Sequence, residues 1–291
     1  MVEATFFKAH GHGNDYLVFP AGSDLPLTPR AIRILCDRWR GVGGDGVVVV
    51  GPGSDGATAS LRMFNPDGSE FERSGNGLRI AALYLFDRGL VGHDPFVVRV
   101  SGDDVRMCVG EGAVPAIRAE MGRVGFPTGP PFVRPGSLAA DGQLVVPGAA
   151  GALPVSVGNP HAVLFGDSWT RGDLAHLGPM VSSHEAFPQG TNVQLVHRVG
   201  SQSLSMFIWE RGVGRTASSG TSACAAAAAA VKTGRLDPGA VTVRMEGGQF
   251  RVTVGADYAV VLEGPVQAVC SGELDARLIA STADVPPEAE G

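Results

Sequence analysis

Along this chain, apolar residues come mostly in short runs broken by Gly and Pro. Runs rich in Val at Gly46 to Val50, Phe96 to Val100, Val193 to Val196, Val241 to Met245 and Val252 to Val261 predict strands. Two segments keep helical spacing instead. From Asn76 to Asp87, the positions Leu78, Ala81, Ala82, Leu85 and Phe86 recur with the helical period, and Gly89 stands where a C-cap glycine belongs. From Thr221 to Thr233, an unbroken row Ala225 to Ala230 favours helix and leaves no bulky side chain to hold neighbouring strands away. A helix that is apolar nearly all round is expected to be buried.

The two helical segments belong to a repeat. Gly13-Asn14 recurs as Gly158-Asn159, Ser74-Gly75 as Ser219-Gly220 and Gly89 as Gly234, all at an offset of 145 residues. Met63-Phe64 and Met206-Phe207 precede the serines, and Gly44-Asp45-Gly46-Val47 resembles Gly190-Thr191-Asn192-Val193. One offset kept at three separated landmarks points to duplication. The expected architecture is α/β with two pseudosymmetric halves, each a curved, mainly antiparallel sheet wrapped around a central helix. Residues 1–125 with about 263–291 would form the N-terminal half, and 126–262 the C-terminal half. The Pro- and Gly-rich stretch Phe126 to Gly136 is read as the crossing, and Ala283 to Gly291 as a loose tail.

Composition narrows the function. The 291 residues carry a net charge of -6 and no block of Lys or Arg, which argues against nucleic acid as a partner. No signal-like or bilayer-length apolar stretch is present, so a cytoplasmic protein with no membrane partner is expected. The four cysteines, Cys36, Cys108, Cys224 and Cys270, lie far apart without a CxxC pair, which speaks against zinc and against a disulfide framework.

Serine and glycine at a helix start offer a hydroxyl beside several backbone N–H groups that have no intrahelical partner, and such a terminus attracts anions. A single pair of this kind is most simply an N-cap. Two related by a repeat could both point at one carboxylate held between the halves, with Ser74 and Ser219 on opposite sides of its α-carbon. Asn14, Asn65, Asn76, Asn159 and Asn192 lie in or beside Gly- or Pro-containing turns, where each alone is a turn residue. With His161, Glu210 and Arg211 they could line a polar pocket for amino and carboxylate groups. In it Arg211 would grip a carboxylate bidentately, and His161 with Glu210 would move a proton.

Seven segments in order carry a resemblance to the diaminopimelate epimerase family. They are FFKAHGHGNDYLVF at Phe6 to Phe19, RGVGGDGVVVV at Arg40 to Val50, MFNPDGSEFERSGNG at Met63 to Gly77, VSVGNPHAV at Val155 to Val163, FPQGTNV at Phe187 to Val193, WERGVGRT at Trp209 to Thr216 and SSGTSACA at Ser218 to Ala225. The resemblance spans about Phe6 to Leu274. It implies an α/β fold whose halves are barrel-like, no cofactor, no metal, a small amino-acid substrate, and room for a homodimer. Members of the family invert an α-carbon with two cysteines, one thiolate removing the proton and one thiol donating another on the opposite face. Here the matching positions are Ser74 and Ser219. Cys224 lies five residues into the helix and is no substitute. Arg215 stands where the family usually shows Glu, and Ser222 where it usually shows Gly.

Carried over residue by residue, the resemblance has Gly75, Asn76, Gly220 and Thr221 hold the reacting α-carboxylate. It has Asn14, Asn65, Asn159, Asn192, Glu210 and Arg211 serve the far end of the substrate, with His161 and Glu210 adjoining the site. Three readings follow. The chain is a cofactor-independent amino-acid epimerase or isomerase with a Ser74/Ser219 pair assisted by His161 or Glu210, or with a single base, as in the related phenazine-biosynthesis isomerase. Alternatively it is a diaminopimelate epimerase proper, weak or with its site residues replaced. In a different class, it is a non-catalytic binder of a small amino acid.

Overall fold

The computed structural model describes residues 4–22, 25 and 27–282, so the tail expected over Ala283 to Gly291 lies outside the described residues. The chain divides into two compact units, Met1–Ile117 with Val266–Gly291, and Arg118–Pro265. It passes from the first to the second within the strand Ala116–Arg123, and Phe126 to Gly136 is part of the second unit.

The first unit opens with a hairpin. Thr5–Gly11 pairs antiparallel with Asn14–Pro20 across His12 and Gly13, whose φ angles of 54° and 88° are those a two-residue hairpin turn requires. Asn14–Pro20 runs parallel to Val47–Pro52, which continues antiparallel into Ala59–Phe64. That strand lies parallel to Phe96–Val100, itself in a hairpin with Asp103–Val109. Gln267–Glu273 returns to pair antiparallel with Thr5–Gly11. Inside this curved sheet sits the helix Gly75–Asp87, buried from Gly75 to Leu85.

The second unit repeats the plan. Leu153–Ser156 pairs antiparallel with Pro160–Phe165, which runs parallel to Asn192–Gly200 and on into Ser203–Glu210. Ser203–Glu210 lies parallel to Gly239–Met245, followed by the antiparallel strands Gly248–Val254 and Ala259–Pro265. The enclosed helix is Gly220–Lys232, buried from Gly220 to Ala230. Six consecutive alanines at 0% exposure show why the row exists: backbone-sized side chains let strands approach from every side.

The offset read from sequence reappears as geometry. The two central helices have 13 residues each and start 145 positions apart. Gly13 and Gly158 hold φ of 88° and 91°, and Gly89 and Gly234 hold 68° and 67°. Both helices close with the same bond, Leu90 N–H to Leu85 O and Arg235 N–H to Ala230 O, each 2.9 Å. The parallel register matches too, Leu17 opposite Val47 and Ala162 opposite Val193.

Three further helices lie outside what periodicity indicated: Pro29–Cys36, Arg171–Ser182 and Ala276–Thr282. Two carried start signals. Thr28 caps Ala31 N–H ahead of Pro29, and Thr170 with Asp173 forms a reciprocal capping box. The run Val252 to Val261, read as one strand, is two, because Gly255 to Tyr258 form a turn closed by Tyr258 N–H on Gly255 O. None of the helices described is long and apolar enough to cross a membrane.

Close packing around the alanine row makes it intolerant of volume. Ala228→Leu is expected to destabilise the protein by at least about 2 kcal/mol, read as a lower denaturant midpoint, whereas an unchanged midpoint would show that the strands can yield there.

Candidate active site

In the first unit, the site is built around the start of the Gly75–Asp87 helix. Ser74 is the N-cap residue, in an extended conformation, and its Oγ accepts from Gly77 N–H at 3.1 Å. The Tyr16 hydroxyl donates to the same oxygen at 3.3 Å. Behind the cap runs an ordered polar chain. The buried Arg79 donates through Nε to Gly75 O at 3.0 Å and through its guanidinium to Asn76 Oδ1. Asn76 then donates to Asn14 Oδ1 at 2.8 Å, and Asn14 to Asp45 Oδ2 at 3.0 Å. The amides are thus aligned from a cation to a carboxylate, an arrangement in which each bond polarises the next.

Gly11 is what lets the first strand pass this chain, since a Cβ there would come within 2.9 Å of both Arg79 and Asn76. Asp45 and Asp15 are joined by Arg38, which bonds Asp15 through two nitrogens and Asp45 through one, while Lys8 lies 3.0 Å from Asp15. Burial opposes ionisation of Asp15, but Arg38 and Lys8 overcome it and hold its pKa below the usual carboxylate range. For Asp45 burial prevails and the pKa is raised. Asn65 stands apart in the turn before Glu70, donating to Ser69 Oγ at 3.0 Å.

In the second unit, the start of the Gly220–Lys232 helix is less tied down. Ser219 is again extended but its side chain makes no cap bond. The neighbouring Ser218 Oγ is buried without a partner among the described residues. Thr221 and Ser222 are buried on the first turn. Asn192 ties the start of the strand Pro160–Phe165 to the turn at Arg211, donating to Pro160 O and accepting from Arg211 N–H, both at 3.0 Å. Arg211 donates to Gln189 O at 3.0 Å, and Glu210 precedes it at the end of the strand Ser203–Glu210, half-buried. The helix Arg171–Ser182 fixes this end of the strand, since a Cβ on Gly178 would lie 2.9 Å from the Trp209 ring.

Both ring nitrogens of the buried His161 are occupied. Nδ1 faces Gln194 Nε2 at 3.1 Å, and Nε2 faces Asn159 Oδ1 at 2.9 Å. Gln194 Nε2 also donates to Ser222 Oγ at 3.0 Å. With the amides placed as they are, an imidazole protonated on Nε2 satisfies both contacts, and Gln194 Oε1 is left buried without a partner among the described residues. Burial, with the Arg211 charge adding to it, pushes the His161 pKa down to about 3. The orientation passes to Asn159, whose side-chain oxygen is taken by His161 and whose NH2 makes no hydrogen bond among the described residues. Ser222 in a place that usually shows Gly is therefore an acceptor for Gln194. Arg215, where the family usually shows Glu, is the exposed residue of the strand Gly214–Thr216 and lies 3.6 Å from Glu246.

The family model described as diaminopimelate epimerase matches residues 6–126 and 153–269. The chain belongs to the diaminopimelate epimerase family. In class it is an isomerase, an amino-acid epimerase. Diaminopimelate epimerase 2 of Nostoc sp. is 36% identical over 94% of this chain and 97% of its own length. A diaminopimelate epimerase of Desulfitobacterium hafniense is 37% identical over 92% and 96%. Among solved structures, a hydroxyproline epimerase from Agrobacterium vitis has the same fold, with a TM-score of 0.69 at 17% identity over 94% of this chain and 92% of that one.

Within this diaminopimelate epimerase family member, sequence reasoning named Asn14, Asn76, Asn159 and His161 and noted Ser222 only as a departure, but missed what holds them: Arg79, Asp45 and Gln194. It also missed Tyr16. The repeat carried that signal, since Tyr16 stands 145 positions before His161.

A histidine held neutral has a consequence for stability. Its folded pKa lies below the unfolded value of 6.5, so the native state forgoes a proton that the unfolded chain binds, and stability present above pH 6.5 falls as the pH drops toward about 3. The slope from this group approaches about 1.4 kcal/mol per pH unit. His161→Gln is expected to flatten the acid limb of the unfolding free energy between pH 6 and pH 4, measured in urea; an identical limb would show that His161 titrates normally. In 15N-histidine NMR of the native protein at pH 7, the His161 ring is expected as the Nε2–H tautomer, and Gln194→Glu should protonate Nδ1 as well.

Proposed function

We propose that this protein epimerises a small free amino acid in the cytoplasm at its α-carbon, with diaminopimelate the first substrate to test, and that Ser74 and Ser219 serve the two faces of that carbon. The observation that carries the reading is the pair of helix starts. Each presents a serine and glycine with extended N-cap geometry, at one repeat offset, at the positions where the family uses its cysteines. The first N–H groups of these helices suit an α-carboxylate, which Gly75, Asn76, Gly220 and Thr221 would seat.

The remaining residues fall into supporting and contacting roles. Asn14 and Asn76 have their amide groups engaged within the protein and hold the Ser74 turn in place; Asn192 does the same for Arg211. Asn159, through its NH2, Asn65, Glu210 and the guanidinium of Arg211 would meet the far end of the substrate. His161 acts as a neutral hinge for Asn159 and leaves proton transfer to the serines and their partners.

Exchanging thiols for hydroxyls carries a heavy kinetic penalty. A thiol ionises near about 8.5 and lower at a helix start, whereas an alkyl hydroxyl needs an activating neighbour. Each roughly 1.4 kcal/mol of added barrier is a factor of about ten in rate. Native protein in deuterium oxide is expected to place deuterium at the α-carbon of diaminopimelate slowly, and Ser74→Cys with Ser219→Cys to accelerate exchange by about a thousandfold or more. Exchange at ordinary enzyme rates by native protein would contradict the role given to the serines. A double-cysteine variant that binds but stays inert would place the chemistry on a different substrate.

A further inference from the structure

We propose that Tyr16 is the proton partner of Ser74, its phenol and the serine hydroxyl forming a relay that delivers a proton to the α-carbon and, in the reverse direction, takes one from it. The proposal rests on the epimerase reading above. Its geometric basis is the bond from the Tyr16 hydroxyl to Ser74 Oγ at 3.3 Å. The ring is buried and fixed against the backbone, since a Cβ at Gly46 would fall 2.6 Å from it, so the phenol is held at the serine.

The repeat supplies an independent observation. Tyr16 and His161 occupy equivalent places, each one residue before the matched pairs Leu17 opposite Val47 and Ala162 opposite Val193. Each unit therefore sets a side chain capable of proton transfer at the same point beside its helix start. In the second unit that side chain is closed off by Asn159 and Gln194. In the first unit it bonds directly to the serine.

The chemistry fits. As a residue type, a phenol ionises near about 10, close to a thiol and far below an alkyl hydroxyl, so the phenol brings back much of the acidity lost with the cysteine. In the delivering direction the Tyr16 O–H bond breaks and its proton passes to Ser74 Oγ. The serine's own proton passes to the α-carbanion, whose electron pair forms the new C–H bond, and a phenolate remains. In reverse the C–H bond breaks, the pair stays on carbon, the proton goes to Ser74 Oγ and the serine's proton to the phenolate. Gly77 N–H, donating to the same serine oxygen at 3.1 Å, stabilises negative charge as it passes through Oγ. Because it acts through Ser74, Tyr16 is a positioning and relay residue.

The test is Tyr16→Phe in two backgrounds, with α-deuterium exchange of diaminopimelate as the readout. With Ser74 present, kcat is expected to fall about tenfold or more while KM stays within about twofold. With Ser74→Cys, whose thiol ionises unaided, Tyr16→Phe should change kcat less than about threefold. An indifferent kcat with Ser74 present, or an equal fall in both backgrounds, overturns the relay and leaves the epimerase reading standing. No exchange by native protein overturns both. Should Tyr16→Phe fail to fold, a fluorinated tyrosine placed at 16 keeps the ring and acidifies the phenol; kcat should then change, and an unchanged kcat again overturns the proposal.

Discussion

A helix enclosed by protein on every side must still satisfy the N–H groups of its first turn, and both units of this molecule are organised around that demand. Such groups have no partner within the helix, and leaving them buried and bare costs roughly 1–3 kcal/mol each. The first unit meets part of the demand internally, with Ser74 Oγ taking Gly77 N–H. The second supplies no side-chain cap at Ser219. An anion is the natural chemical complement to bare N–H groups of this kind, and the carboxylate proposed as ligand is of that class.

Around these helix starts the two units use the same places for different ends. The chain from Arg79 through Asn76 and Asn14 to Asp45 runs from positive to negative charge and fixes the Ser74 turn. The chain from Ser222 through Gln194 and His161 to Asn159 is neutral throughout and sets the direction of one amide. Equivalent positions thus hold Tyr16, bonded to its serine, and His161, turned away to other partners. The duplicated plan is thus kept in the backbone while the polar fittings of the two units have diverged.

Much of the architecture was legible because the repeat is written in residues with little freedom of choice. Gly13, Gly89, Gly158 and Gly234 all have positive φ, where other residues are strained, so their spacing survives as a sequence signal. The alanine row announces burial for the same kind of reason. The helix Arg171–Ser182 does keep helical spacing at its buried residues, Leu174, Leu177, Gly178, Val181 and Ser182, but Gly178 and Ser182 are not apolar and Pro179 reads as a breaker, so the pattern is masked in the sequence. At the site, asparagines near glycines stood out, but Gln194 and Arg79 look like ordinary strand and helix residues in one dimension. Their meaning comes from contacts across 28 and 33 positions for Gln194, which no local pattern encodes.

The central proposal, that these helix starts bind the ligand's carboxylate, is tested most directly by hydrogen–deuterium exchange of the backbone amides of Gly75 to Gly77 and Gly220 to Ser222, with and without saturating diaminopimelate. Gly77 N–H is already bonded to Ser74, so the expected slowing is at the other amides of both turns. Unchanged exchange at both turns under conditions where calorimetry shows the ligand bound would contradict the account and move the binding site elsewhere on the protein.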